Sequence, residues 1–87
     1  MTAETLTLAR VKTEIVRAIN EAMEHRAEPV DETTDLQALA ADSLQIVIIA
    51  NILEDALKIE LDPSLLYAAE TVEGLARDIL QFSAESF

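Results

Sequence analysis

The 87-residue chain has no cysteine and no tryptophan, one glycine, one histidine, two prolines and six basic side chains. Each shortage removes a class of chemistry. Without Cys there is no disulfide framework and no thiolate metal site, and a lone His25, read as a surface residue, does not make a zinc site. With Gly74 as the only glycine, a glycine loop that cradles phosphate cannot be built. A catalytic serine needs a base and an orienting carboxylate. His25 is the only histidine and no Gly-x-Ser-x-Gly turn occurs, so hydrolase chemistry is not expected. The longest apolar stretch, Leu44 to Leu53, is too short for a bilayer span and contains Gln45 and Asn51. Glu4, Arg10 and Lys12 interrupt the early apolar residues and argue against a secretory signal. These features predict a soluble, cytoplasmic, monomeric protein with one small domain over residues 1–87 and no membrane span.

Basic charge is scarce in a particular place. Residues 1–26 carry four basic and four acidic side chains, whereas residues 27–87 carry two basic and thirteen acidic, which accounts for the whole net charge of −11. From Ala27 to Leu57 there are seven acids and no Lys or Arg. Such a field repels nucleic acid and anionic lipid and draws in basic protein surfaces. Nucleic acid is therefore not an expected partner. An acidic face that only maintains solubility is the plain alternative.

The apolar periodicity is helical. Leu6, Leu8, Val11, Ile15, Ile19, Ala22 and Met23 recur at spacings of mainly three and four, predicting a first helix over about 6–25 capped by Thr5 or Thr7. The pattern dissolves from Ala27 to Asp42, where Pro29, Asp31, Thr33, Thr34 and Asp35 form turns and Leu36 and Leu39 serve as apolar anchors. A second helix is predicted from Ser43 to about Leu57, with Ile46, Ile49, Ile52 or Leu53, and Leu57 inward. Asp62-Pro63 starts a short third helix. Thr71 caps a fourth through about Phe82, with Val72, Leu75, Ala76, Ile79 and Leu80 inward, Phe82 a further candidate, and residues 83–87 frayed.

The chain turns on Asp42-Ser43-Leu44. Asp42 and Ser43 are both good helix caps, so the Ser43 hydroxyl lies at a loop–helix junction, where a phosphate would meet unpaired N–H donors and the positive end of the helix dipole. The helix that follows is apolar nearly all round, and 87 residues cannot bury every face of it. Leu44, Val47 and Ile48 are therefore expected to form part of a docking surface.

Asp42-Ser43-Leu44, the preceding Asp35-Leu36-Gln37-Ala38-Leu39, the helix exit Glu54–Leu61 and the Thr71-Val72-Glu73 start resemble the acyl carrier protein family over essentially the whole chain. The resemblance implies an all-α four-helix bundle with a long loop between the first two helices and a short third helix. It implies a non-enzymatic carrier whose Ser43 holds a 4′-phosphopantetheine arm, derived from coenzyme A and bearing acyl groups as thioesters. Asp42 and Leu44 would flank the modification, and Val47, Ile48, Glu54 and Asp55 would form the docking face. Implied partners are a phosphopantetheinyl transferase and acyl-loading and acyl-processing enzymes with basic docking patches. The pathway would be fatty acid, polyketide or specialised acyl synthesis. Ala40 stands where the family usually has Gly, Ile48 where it commonly has an acid, and Asn51 where Met is common. Other readings are an aminoacyl or peptidyl carrier, or an unmodified helical interaction module in which Ser43 is only a cap.

Overall fold

The computed structural model describes residues 6–24, 28–39 and 41–85, with side chains described as far as Phe82. Thr5, His25 and Ala40 lie outside the described residues. Four helices, α1 (Leu8–Ala22), α2 (Ser43–Leu57), α3 (Ser64–Ala68) and α4 (Val72–Glu85), form a bundle, and a 3₁₀ turn, Leu36–Leu39, interrupts the long loop before α2. Helix α1 packs against α2 and α4, while the short α3 lies against both of those.

Helix α1 is shorter than its periodicity suggests. Thr7 caps it by accepting the Arg10 N–H at 3.1 Å, and Met23 leaves the helix at φ −118° while its N–H still reaches the Ile19 carbonyl. The inward stripe is Val11, Ile15, Ala18 and Ile19, with Leu6, Leu8 and Ala22 only partly covered. In α4, Thr71 Oγ1 accepts the Gly74 N–H at 2.9 Å, and Val72, Leu75, Ala76 and Ile79 are buried. Phe82 is not inward but 37% exposed, and the helix continues to Glu85 rather than fraying beyond Phe82. The inward residues of α1, α2, α3 and α4 join one continuous core.

The long loop is tied down at three points. Asn20 on α1 receives the Val30 N–H at 2.7 Å and donates to the Val30 carbonyl at 3.1 Å, so Val30 is buried with both backbone groups satisfied. Lys12 reaches Glu32 at 2.9 Å and Glu73 on α4 at 3.8 Å, and the hydrogen bond to Glu32 raises its pKa above the ordinary lysine value. Asp31 Oδ1 accepts from the Thr33 hydroxyl and N–H, which holds its carboxyl below the usual range. Leu39 is buried and Leu36 partly so, as expected of anchors. The 3₁₀ turn is then pinned to the α3–α4 connection, because Leu36 donates to the Glu70 carbonyl at 2.9 Å and the Gln37 amide donates to the carbonyls of Tyr67 and Ala69. These ties deliver the chain to the first turn of α2 in a fixed position.

Candidate functional site

The α2 N-terminus is built by a reciprocal cap. Asp42, in extended backbone, accepts the Gln45 N–H at 2.8 Å, and the Gln45 side chain accepts the Asp42 N–H at 3.0 Å. Each side chain thus satisfies a donor that a helix start leaves unpaired. The next bond in the ladder runs from Ile46 N–H to the Asp42 carbonyl. With Asp42 as the cap, Ser43 is the first helical residue, and its hydroxyl is not needed for capping.

Ser43 is exposed, and its hydroxyl makes no hydrogen bond among the described residues. The N–H groups of Ser43 and Leu44 likewise have no acceptor among them. A phosphodiester on Ser43 Oγ would sit beside these two donors, at the positive end of a 15-residue helix. The residues present therefore fit a covalently held phosphate ester. Among the described residues no side chain able to act as a general base is hydrogen-bonded to the hydroxyl.

One face of α2 continues from Ser43 along the surface. Leu44 is 68% exposed, Val47 43% and Ile48 37%. Asn51 and Asp55 extend the same face at helical spacing and are also exposed. The opposite face, Ile46, Ile49, Ala50, Leu53 and Leu57, is buried, with Ile52 at the boundary. The expected inward set is therefore completed by Leu53, and Ala50 joins it. Glu54 is half-buried and turns to the exit loop, where its Oε2 accepts the Leu61 N–H at 2.8 Å. This tie was not visible in the sequence. It depends on Lys58 adopting a left-handed conformation (φ 57°, ψ 46°) that ends α2 and reverses the chain.

Beside Ser43 lies a groove of about 110 Å³, lined by Leu36, Gln37, Ala41, Ile46, Leu66 and Tyr67. Tyr67 is exposed at its rim, and Gln37 spans from the 3₁₀ turn to the end of α3. Sequence reasoning had singled out neither Gln37 nor Tyr67 for the site. Asp62 starts α3 by accepting the Ser64 N–H at 2.9 Å, and that bond lowers its pKa below the ordinary carboxyl value. Among the described residues no group of acids and histidines is placed to hold a metal ion, and no helix is long and apolar enough to cross a membrane.

Comparison with known proteins agrees with this geometry. The family described as "phosphopantetheine attachment site" matches residues 13–79. No curated protein sequence matches the chain. Among solved structures, the fold is similar to that of BlmI, a type-II acyl carrier protein from Streptomyces verticillus involved in bleomycin biosynthesis. The TM-score is 0.73 and the identity 21%, over 86% of this chain and 88% of that one. At that identity the likeness is one of fold.

Proposed function

The chain belongs to the phosphopantetheine-attachment family, whose cofactor is covalent 4′-phosphopantetheine, and on that premise we propose that Ser43 carries the arm for an acyl carrier protein. The observation that supports this position is the division of labour at the start of α2: Asp42 and Gln45 satisfy the cap, leaving the Ser43 hydroxyl exposed and uncommitted. The arm supplies a thiol that holds an acyl group as a thioester and lets it travel between enzymes. The protein is a carrier and not a catalyst. In loading, Ser43 Oγ loses its proton to a base on the transferase and bonds to the phosphorus of coenzyme A, expelling adenosine 3′,5′-bisphosphate.

The rest of the proposal concerns partners. Leu44, Val47 and Ile48 offer apolar contact area beside Ser43, with Asp42 at one end of the face and Asp55 at the other; Glu54 adds charge next to Asp55 while also holding Leu61. A transferase and acyl-loading or acyl-processing enzymes with basic rims fit this combination of apolar contact and negative field. Exposed Ile48 and Asn51 direct the docking toward enzymes of a specialised acyl pathway whose contact at that point is apolar or polar rather than cationic. An aminoacyl or peptidyl carrier uses the same attachment chemistry and differs in the group loaded.

The lack of cysteine makes the test clean, because the unmodified chain has no thiol at all. After treatment with coenzyme A and a broad-specificity transferase, thiol titration should rise from none to one per chain, and the thiol should then accept an acyl group from a loading enzyme. A chain that gains no thiol is an interaction module and not a carrier.

A further inference from the structure

We infer that the cleft between α1 and the long loop, lined by Thr13, Val16, Asp31, Glu32 and Thr33, is a docking surface for an arginine side chain of a partner protein. The aliphatic stem lies on Val16 and the guanidinium meets Asp31. This surface shares no residue with the exposed face of α2, and the inference does not depend on Ser43 bearing the arm.

Two ties build the cleft. Lys12, Val16 and Asn20 stand at i, i+4 and i+8, in one row along α1. Lys12 holds Glu32 at 2.9 Å, and Asn20 holds the Val30 N–H at 2.7 Å and its carbonyl at 3.1 Å. The loop is thus fastened on either side of Val16, with Asp31 between the two fastenings. Val16 stays half-buried beneath it. The space measures about 450 Å³, within the roughly 300–1,000 Å³ of sites that hold a ligand. Because both ties are already made, no loop has to be ordered when an occupant enters, which lowers the cost of binding.

The lining selects the charge and the shape of the occupant. The Thr13 hydroxyl donates to the Ala9 carbonyl at 3.0 Å and the Thr33 hydroxyl to Asp31 Oδ1 at 2.6 Å, so neither proton is left for an anion. Asp31 takes the Thr33 N–H and the hydroxyls of Thr33 and Thr34 on Oδ1 alone, and its Oδ2 accepts nothing among the described residues. What remains is an apolar floor beside a carboxylate oxygen open to a donor. The basic side chains on this part of α1 are already engaged, Lys12 with Glu32 and Glu73 and Arg17 with Glu14 at 3.1 Å, while residues 28–35 carry four acids and no base. Arginine suits the combination better than lysine, because its weakly hydrated planar guanidinium carries several donors on a stem that covers apolar surface. A partner protein presents that side chain without the α-carboxylate of free arginine, and the negative field of this half of the chain draws basic protein surfaces.

The test is an amide NMR titration of the full unmodified chain at low salt with Nα-acetyl-arginine methylamide, beside the same blocked forms of lysine and citrulline and beside free arginine. Blocked arginine should move the amides of Val16, Asp31, Glu32 and Thr33 along saturable curves, and added salt should weaken the effect. Citrulline keeps the stem without the charge, lysine keeps a charge without the planar fork, and free arginine brings a carboxylate toward the same acids. Each should bind at least roughly three-fold more weakly, the scale of an exposed charge contact. Asp31→Asn, which retains Oδ1 for Thr33, and Val16→Ala, at a half-buried position, should each weaken blocked arginine by a similar factor. The comparison of probes on the wild-type chain stands even where a variant fails to fold. Shifts that do not saturate, that centre on Asp42 and Asp55, or that survive both substitutions would overturn the site. Equal binding of blocked lysine would overturn the choice of arginine, and equal binding of free arginine would make the cleft a small-molecule site and overturn the partner class.

Discussion

Asp42 and Gln45 hold each other's backbone N–H groups, at 2.8 Å and 3.0 Å, across the residue proposed to be modified. The pair fixes the first turn of α2 without using the Ser43 hydroxyl. Asp42→Ala should therefore cost about 1 kcal/mol, within the 0.5–2 kcal/mol range for lost caps, and Gln45→Ala less. Urea unfolding measures both. Initial loading rates with coenzyme A separate stability from contact: Gln45→Ala should load like the wild type, and Asp42→Ala more slowly. A Gln45→Ala variant that cannot be loaded would give Gln45 a role beyond the cap.

Asn20 meets both backbone groups of Val30 from ten residues away. Asn20→Ala leaves a part-buried N–H and C=O without partners, and each unsatisfied group costs about 1–3 kcal/mol. The variant should unfold at clearly lower urea and be cut sooner by protease within residues 28–35. A loss below about 0.5 kcal/mol would mean that water replaces the amide and that the loop is held mainly by Leu39.

Much of this architecture could be read from the chain. The bounds of α2 are legible because a cap pair precedes an apolar run unbroken by Gly or Pro, and Leu36 and Leu39 stand out as apolar residues among turn formers. Val30 is equally buried yet carries no signal: it follows Pro29 in an aperiodic stretch, and its burial depends on Asn20. Phe82 misleads for the opposite reason. It is in phase with Leu75 and Ile79, but at that level it lies beside Leu65, Asp78 and Gln81 at the edge of the bundle, and where neighbouring helices stop is not written in α4. The Ser43 position was legible from its motif and flanks. The groove was not, because its walls come from four segments separated in sequence.

Lys58 is the one non-glycine residue with positive φ among the described residues. It ends α2, with its own N–H and that of Ile59 both reaching the Glu54 carbonyl, and a β-carbon is unfavourable in this conformation. Lys58→Gly should raise stability by up to about 1 kcal/mol, while Lys58→Ala, which keeps the β-carbon, should not. The exposed Lys58–Asp55 pair at 3.8 Å is too weak to offset this. Equal effects from Gly and Ala would contradict the backbone account.

Ile48→Glu distinguishes docking from packing. At 37% exposure on the face opposite Ile46 and Leu53, it should change unfolding free energy by no more than about 0.5 kcal/mol. The same substitution should slow loading by a cognate acylating enzyme and make that rate more sensitive to salt. A drop of several kcal/mol, as for a buried unpaired carboxylate, would place Ile48 in the core and remove it from the docking face.

The central claim is that Ser43 alone bears the arm. Peptide-level mass spectrometry after incubation with coenzyme A and a broad-specificity transferase tests it directly, on the wild-type chain and on Ser43→Ala. The account predicts a single phosphopantetheine on the peptide containing Ser43 and an unmodified Ser43→Ala chain that melts as the wild type does. Modification that persists in Ser43→Ala, or that maps to Ser64, Ser83 or Ser86, would contradict it.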